Sequence, residues 1–371
     1  MASLNRREWL QLSGLGGIAA ALTPFDVLAN PHNEEFIVGS ISNFAKLNSN
    51  ENPFGPSKKV RQAMIDGFDM GCRYPYQKMN ALAEILAKKE GLTREHIVMC
   101  AGSTEGLKAA GLTYGNNRGE IIAADPVYKS LLTYAEQFGA YINRVPLNSE
   151  MGHDLEEMER RVTQKTSLVF LCNPNNPTGT LIPKQDLVDF CNTVSEKTVV
   201  FSDEAYYDYI TDSNYPSMVN LVKAGKNVIV SRTFSKVYGL AGLRVGYLIA
   251  RPDIAERIRQ NVMAKANMMA LIGATTALDD DEFYTMSIRK NNEAKTIIYD
   301  TLNELGLKYI PSHTNFVFFE TGKNINDLIP KMRAKDVAIG RPFPPLTKWC
   351  RISTGTIPHM HKFADALKAT L

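Results

Sequence analysis

Between residues 57 and 250 the chain alternates short apolar runs with stretches of helical periodicity, and few architectures accommodate that alternation. The apolar runs are His96 to Cys100, Ile121 to Ala124, Ser167 to Cys172, Thr198 to Ser202, Val228 to Ser231 and Val245 to Ala250. Helical patterns occupy Ser57 to Phe68, Met79 to Lys89, a segment from Thr104, another after Pro126, and Pro183 to Val194. Strands spaced by helices predict a mainly parallel sheet with helices on both faces. Such sheets bind ligands at the carboxyl ends of their strands. From about residue 252 the pattern changes. Helical stretches at Pro252 to Met263 and Glu282 to Leu305 lead to an apolar run at Asn315 to Phe319 and a helix near Asn326 to Lys335. Short strands near Val337 and Cys350 and a helix from Pro358 follow, which predicts a smaller α+β unit. A length of 371 residues suits one large and one smaller unit.

Composition excludes several classes. The 44% hydrophobic and 22% charged fractions are those of a globular protein. The net charge is +3 and no Lys/Arg block resembles a nucleic-acid patch. No apolar run reaches the roughly 18 residues that would span a membrane. Cys72, Cys100, Cys172, Cys191 and Cys350 are odd in number and lack CxxC spacing, so they predict neither a disulfide framework nor a metal site.

The chemistry-bearing motifs fall at the ends of the expected strands. Ser231-Arg232-Thr233-Phe234-Ser235-Lys236 follows an apolar strand, and Arg244 comes eight residues after the lysine. The amine of Lys236 can form a Schiff base with an aldehyde, while Thr233, Ser235 and Arg244 can hold a phosphate dianion. The alternative is a lysine on a strand edge with an ordinary surface arginine. Cys172-Asn173-Pro174-Asn175-Asn176-Pro177-Thr178-Gly179 forms a turn after another strand, and a functional turn would aim the Asn176 amide at a cofactor oxygen. Asp203-Glu204-Ala205-Tyr206 ends the next strand. A carboxylate there is costly unless paired, either with a pyridinium N–H or with a structural arginine. Tyr206 could donate to the same oxygen as Asn176. Gly102-Ser103-Thr104 joins a strand to a helix, giving an anion site at the helix start. Tyr128, in Asp125-Pro126-Val127-Tyr128, could stack on a flat ring or simply pack. These are the parts of a pyridoxal-phosphate site.

Their order and spacing resemble the class I/II aminotransferases of fold type I, in the branch of histidinol-phosphate aminotransferase. The resemblance runs from Leu47-Asn48-Ser49-Asn50-Glu51-Asn52-Pro53 to Arg351-Ile352-Ser353. It implies an α/β chain with a mainly parallel sheet in a large cofactor domain over 51–251, and a smaller α+β domain from 30–50 plus 252–371. It also implies roles. Lys236 carries pyridoxal 5'-phosphate and moves the substrate Cα proton, and Asp203 keeps the pyridine nitrogen protonated. Asn176 and Tyr206 hold the phenolic oxygen, and Tyr128 stacks on the ring. Ser103, Thr104, Thr233, Ser235 and Arg244 bind the phosphate. Tyr74, in Arg73-Tyr74-Pro75, matches a tyrosine that reaches the phosphate of a neighbouring subunit, which implies a homodimer. Arg351 matches the arginine that receives the substrate's anionic group, alongside Asn176. Arg341 matches a second arginine of this branch, or is a solvent-facing loop residue.

Two departures touch substrate binding. The segment Phe36 to Phe44 lacks the branch's Pro-Tyr, and the interval from Arg341 to Arg351 is short. The expected activity is amino transfer between an amino donor and a 2-oxo acid. A threonine-phosphate decarboxylase-like reaction or another lyase is the alternative, and only a transaminase accumulates the pyridoxamine form with donor alone. A non-enzymatic sensor of this fold would need a DNA-binding segment, for which the first 50 residues are too short. Asn5-Arg6-Arg7-Glu8-Trp9-Leu10-Gln11 ahead of the mildly apolar Leu12 to Leu22 resembles a twin-arginine export signal, with a cut site near Val27-Leu28-Ala29. The expectation is removal of residues 1–29 and a periplasmic protein with no membrane anchor. Otherwise the segment is an extension of a cytoplasmic one.

Overall fold

A computed structural model describes residues 43–371. The expected export signal and residues 30–42 of the expected small domain lie outside the described residues. A seven-stranded sheet contains β2 (Ile97–Cys100), β3 (Glu120–Asp125), β4 (Tyr141–Pro146), β5 (Thr166–Cys172), β6 (Val199–Asp203), β7 (Val228–Thr233) and β8 (Gly246–Ala250). Its order is β2-β8-β7-β6-β5-β3-β4. All neighbouring pairs from β7 to β4 are parallel, and β8 runs antiparallel to both β7 and β2.

The central strands are continuous apolar runs because helices cover both faces. Alternation sorts their side chains. Ile122, Val169, Leu171, Val200 and Val230 enter one core, whereas Ile121, Ala123, Phe170, Phe201 and Ile229 enter the other. The chain leaves β4 at the sheet edge and returns on the other side of β3 to form β5. That reversal opens a crevice between β3 and β5 at their carboxyl ends.

Two smaller sheets come from β1 (Ala45–Lys46) with β11 (Val337–Ala338), and from β12 (Trp349–Ser353), β10 (Phe316–Glu320) and β9 (Tyr309–Ile310). Val317, Phe319, Cys350 and Ile352 pack with Ala294, Ile298 and Leu302 of the helix Asp281–Glu304 and with Met360 and Phe363 of Ile357–Lys368. Among the described residues no helix is long and apolar enough to cross a membrane. The five cysteines are free thiols, four buried and Cys72 exposed.

The expected elements form, with differences. Strand β4 was not expected, nor was the helix Met268–Ala277, and the helix expected over Pro252 to Met263 ends at Arg259. Beyond Arg259 the chain is drawn elsewhere: the Asn261 amide donates to Thr113 Oγ1 at 2.9 Å, and the Ala264 N–H donates to Glu105 Oε1 at 2.6 Å.

Candidate active site

The carboxyl ends of β2, β3, β5, β6 and β7, with the amino end of β8, converge on one edge of the sheet. Each supplies one of the motifs. Strand β7 leads into Thr233 and Ser235, both buried, and then into Lys236, which is half-buried. The Lys236 amine donates to the Asn50 carbonyl at 2.9 Å and lies 5.3 Å from the centre of the Tyr206 ring. Burial pushes the amine down to about 8, with the Arg351 charge acting in the same direction.

Asp203 ends β6 and is 2% exposed. Its Oδ1 has no hydrogen-bond partner. Burial pushes its carboxyl up to about 7. A structural arginine does exist here, but it serves the neighbouring residue. Arg232 Nη2 pairs with Glu204 Oε2 at 2.6 Å, while the other Glu204 oxygen accepts from the Met218 N–H at 2.8 Å. Glu204 is thus satisfied and Asp203 is left with a buried, unpaired oxygen, the acceptor a pyridinium N–H requires.

The Asn176 turn follows β5. Asn176 Nδ2 donates to Tyr206 Oη at 3.4 Å, and Asn176 Oδ1 accepts from Arg351 Nη1 at 2.7 Å. Arg351, from β12, also donates to the Asn48 carbonyl at 3.2 Å. It is buried, its Nε has no partner, and no carboxylate pairs with it among the described residues. Its guanidinium sits 5.1 Å from the Phe343 ring, and Arg341 lies 4.4 Å from the same ring. Arg341 is exposed, and the shared ring brings it beside Arg351.

Asn50 was missed as a site residue. It is 2% exposed and adopts φ 53°, in the left-handed region. Its amide donates to Tyr206 Oη at 3.0 Å, and Ser353 Oγ donates to its Oδ1 at 2.8 Å. Its carbonyl receives Lys236. Such strain persists only where surroundings over-determine it. Tyr206 Oη therefore accepts from two amides, which leaves its own proton free to donate.

The phosphate candidates gather at the β2–helix junction. Ser103 and Thr104 begin the helix Ser103–Gly115 and are half-buried. Arg244, at φ 59°, donates to Ser235 Oγ at 3.5 Å and to the Ala241 carbonyl at 2.9 Å. Gly102 has φ 84°, and a Cβ there would collide with the Arg244 guanidinium. Only glycine lets the guanidinium sit against the helix start, where unpaired N–H groups favour an anion. Tyr128 follows β3 across the crevice from Asn176 and is half-buried against the core containing Phe170 and Cys172. Tyr74 stands apart from this cluster in the single chain. It is 85% exposed, with its ring 6.0 Å from that of Tyr76.

Comparison with known proteins gives the same family. Residues 42–367 match the family described as aminotransferase class I and II. A histidinol-phosphate aminotransferase of Moorella thermoacetica is 38% identical over 337 residues, covering 89% of this chain and 86% of that protein. One from Caldicellulosiruptor saccharolyticus is 35% identical over 329 residues, covering 88% and 91%. The fold superposes on the crystal structure of a histidinol-phosphate aminotransferase from Sinorhizobium meliloti in complex with pyridoxal-5'-phosphate, with a TM-score of 0.81, 26% identity and coverage of 88% and 92%. An unpaired buried carboxylate on the strand beside the one that leads to Lys236 is compatible with that cofactor, and with the family match spanning most of its length the chain belongs to the class I and II aminotransferases, fold type I enzymes that work with pyridoxal phosphate.

Proposed function

We propose that this aminotransferase anchors its cofactor on Lys236 and accepts amino donors bearing an anionic group, with histidinol phosphate among them. The buried oxygen of Asp203 that has no partner carries the cofactor half of this reading. When bound, the cofactor supplies an electron sink for charge developing at the substrate Cα. The protein's residues do the rest. Asp203 accepts the ring N–H and keeps that nitrogen protonated. Tyr206 and Asn176 hold the phenolic oxygen, and Tyr128 packs on the ring. Ser103, Thr104, Thr233, Ser235 and Arg244 hold the phosphate. The Lys236 amine has a lowered proton affinity and a fixed carbonyl partner in Asn50, so it can take the Cα proton and return it.

Arg351 supports the substrate half. It is a buried cation with an unsatisfied Nε and, among the described residues, no carboxylate partner, and it lies 5.1 Å from the Phe343 ring centre beside Arg341. Two guanidinium groups on one ring suit a carboxylate or a phosphate monoester. The named activity of the relatives supports histidinol phosphate. A screen of donors followed by absorbance, with mass identification of the product, tests this. Histidinol phosphate or an anionic amino acid should react. Reaction confined to donors without an anionic group would sink the proposal.

Arg351→Lys should lower kcat/KM for the donor by about 10–100-fold, because one ammonium cannot replace a bidentate fork. The cofactor spectrum should stay unchanged. Unaltered kinetics in this variant would move the anion site elsewhere.

The strands of the large sheet all lie between residues 97 and 250, which supports a cofactor domain over 51–251 and a second domain from 30–50 and 252–371. Tyr74 supports a homodimer in which it serves the phosphate site of the other copy. It lies in a segment where Ile65, Phe68, Met70 and Tyr76 are also exposed, an apolar surface suited to a partner. A structure of the assembly with Tyr74 far from every Lys236 would contradict the shared site. Export through Arg6-Arg7 rests on the sequence pattern alone. A full-length protein in the cytoplasm, unaffected by Arg6→Lys/Arg7→Lys, would refute it.

A further inference from the structure

The helix Ser103–Gly115 begins without a side-chain cap, because its N-cap is Gly102. The N–H groups from Ala101 to Glu105 must therefore find acceptors in other ways. The Gly102 N–H donates to the Cys100 carbonyl at 2.8 Å, and the Glu105 N–H donates to the Gly102 carbonyl at 3.1 Å. The Ala101 N–H donates to Glu105 Oε2 at 2.5 Å. Glu105 is the third residue of the helix, the position from which a glutamate reaches back to the helix start. Among the described residues, that leaves the N–H groups of Ser103 and Thr104 without a backbone acceptor. They are the pair that an anion at the helix start would meet.

The second Glu105 oxygen reaches a different segment. Oε1 accepts from the Ala264 N–H at 2.6 Å. Ala264 lies between the helices Pro252–Arg259 and Met268–Ala277. Two more bonds hold this connection to the phosphate side. The Asn261 amide donates to Thr113 Oγ1 at 2.9 Å, on the helix that Glu105 begins. The Asn267 amide donates at 3.1 Å to the carbonyl of Leu243, the residue before Arg244. Glu105, Thr104 and Arg244 also line one cavity of about 290 Å³. By charge alone a carboxylate in that place would oppose an anion. Its two accepted N–H bonds give it a different use.

We propose that Glu105 is a positioning residue for the cofactor phosphate. By accepting from Ala101 and Ala264 at once, it fixes the turn that leaves the Ser103 and Thr104 N–H groups to the anion, and it couples the connection over 260–267 to cofactor retention. The inference rests on the phosphate assignment above and deepens it.

Calorimetric titration of the full chain, freed of cofactor, tests the role without turnover. The probes are pyridoxamine 5'-phosphate and pyridoxamine, which differ only in the phosphate. Glu105→Gln offers one acceptor where two are used and turns an amide N–H towards the other donor. It should bind pyridoxamine 5'-phosphate about tenfold more weakly and pyridoxamine as wild type does. Glu105→Ala should lose at least as much, since it offers no acceptor. Holoenzyme of either variant should release its cofactor faster on dilution. A carboxylate acting by charge alone would give the opposite sign, because its removal would tighten phosphate binding. Wild-type or increased preference for the phosphorylated probe in either variant would overturn the proposal. Equal losses for both probes would also overturn it, by showing that Glu105 supports the fold and not the phosphate. A wild-type enzyme that binds the two probes equally would remove the phosphate assignment itself, and this inference with it.

Discussion

Lys236→Ala is expected to lose turnover by at least about 10³-fold, or about 4 kcal/mol in the activation barrier, because one amine both anchors the cofactor and moves the Cα proton. The variant should fold, since the side chain makes a single hydrogen bond, to the Asn50 carbonyl. It should also lose the borohydride-trappable link to the cofactor, which mass spectrometry reads directly. A pH experiment on the wild type sharpens this. The amine reacts only when neutral, and burial brings its pKa down to about 8. The rate at which apoenzyme captures the cofactor should therefore rise as pH increases through about 8 and level off above it. A capture rate that keeps rising towards the ordinary lysine range would show that the amine is not perturbed by its site.

Asp203→Ala should cost about 10²-fold in rate, about 3 kcal/mol, since an unpaired ring nitrogen delocalises carbanion charge poorly. A second readout separates this role from simple packing. The Asp203 carboxyl is raised from 3.8 to about 7 by burial. A carboxyl raised on folding stabilises the native state while protonated, and that contribution disappears as pH climbs from about 4 to about 7. Apoenzyme should lose stability over that window, and Asp203→Asn apoenzyme should not. Cofactor binding should restore wild-type stability above pH 7 by supplying a cationic partner. A near-normal rate in Asp203→Ala would show that another group holds the ring nitrogen.

Much of this was legible in the sequence because the site is built from strand ends. Strands β5, β6 and β7 are buried on both faces, so they stand out as apolar runs, and Asn176, Asp203 and Lys236 lie at or shortly after their carboxyl ends. Strand β4 escaped for the opposite reason. Tyr141-Ile142-Asn143-Arg144-Val145-Pro146 is an edge strand paired only with β3, with polar residues in its middle. The helix Met268–Ala277 escaped because Met268-Met269-Ala270-Leu271-Ile272-Gly273-Ala274 has no polar face to mark its period. Asn50 was hidden in an Asn- and Ser-rich turn. Its importance lies in contacts to Lys236, Tyr206 and Ser353, at sequence separations that local pattern cannot register. The partner of Arg232 was equally invisible. Asp203 and Glu204 are adjacent acids, and only the fold decides which receives the guanidinium and which remains open.

The central claim is amino transfer through a lysine-bound cofactor, and a single half-reaction tests it most directly. Holoenzyme is mixed with an amino donor in the absence of any acceptor, and absorbance is followed while the product is weighed by mass spectrometry. The account predicts one equivalent of keto product per active site, conversion of the cofactor to its pyridoxamine form, and recovery of the original spectrum when a 2-oxo acid is added. Continuous release of carbon dioxide or another elimination product, with the cofactor spectrum unchanged at the end, would contradict it.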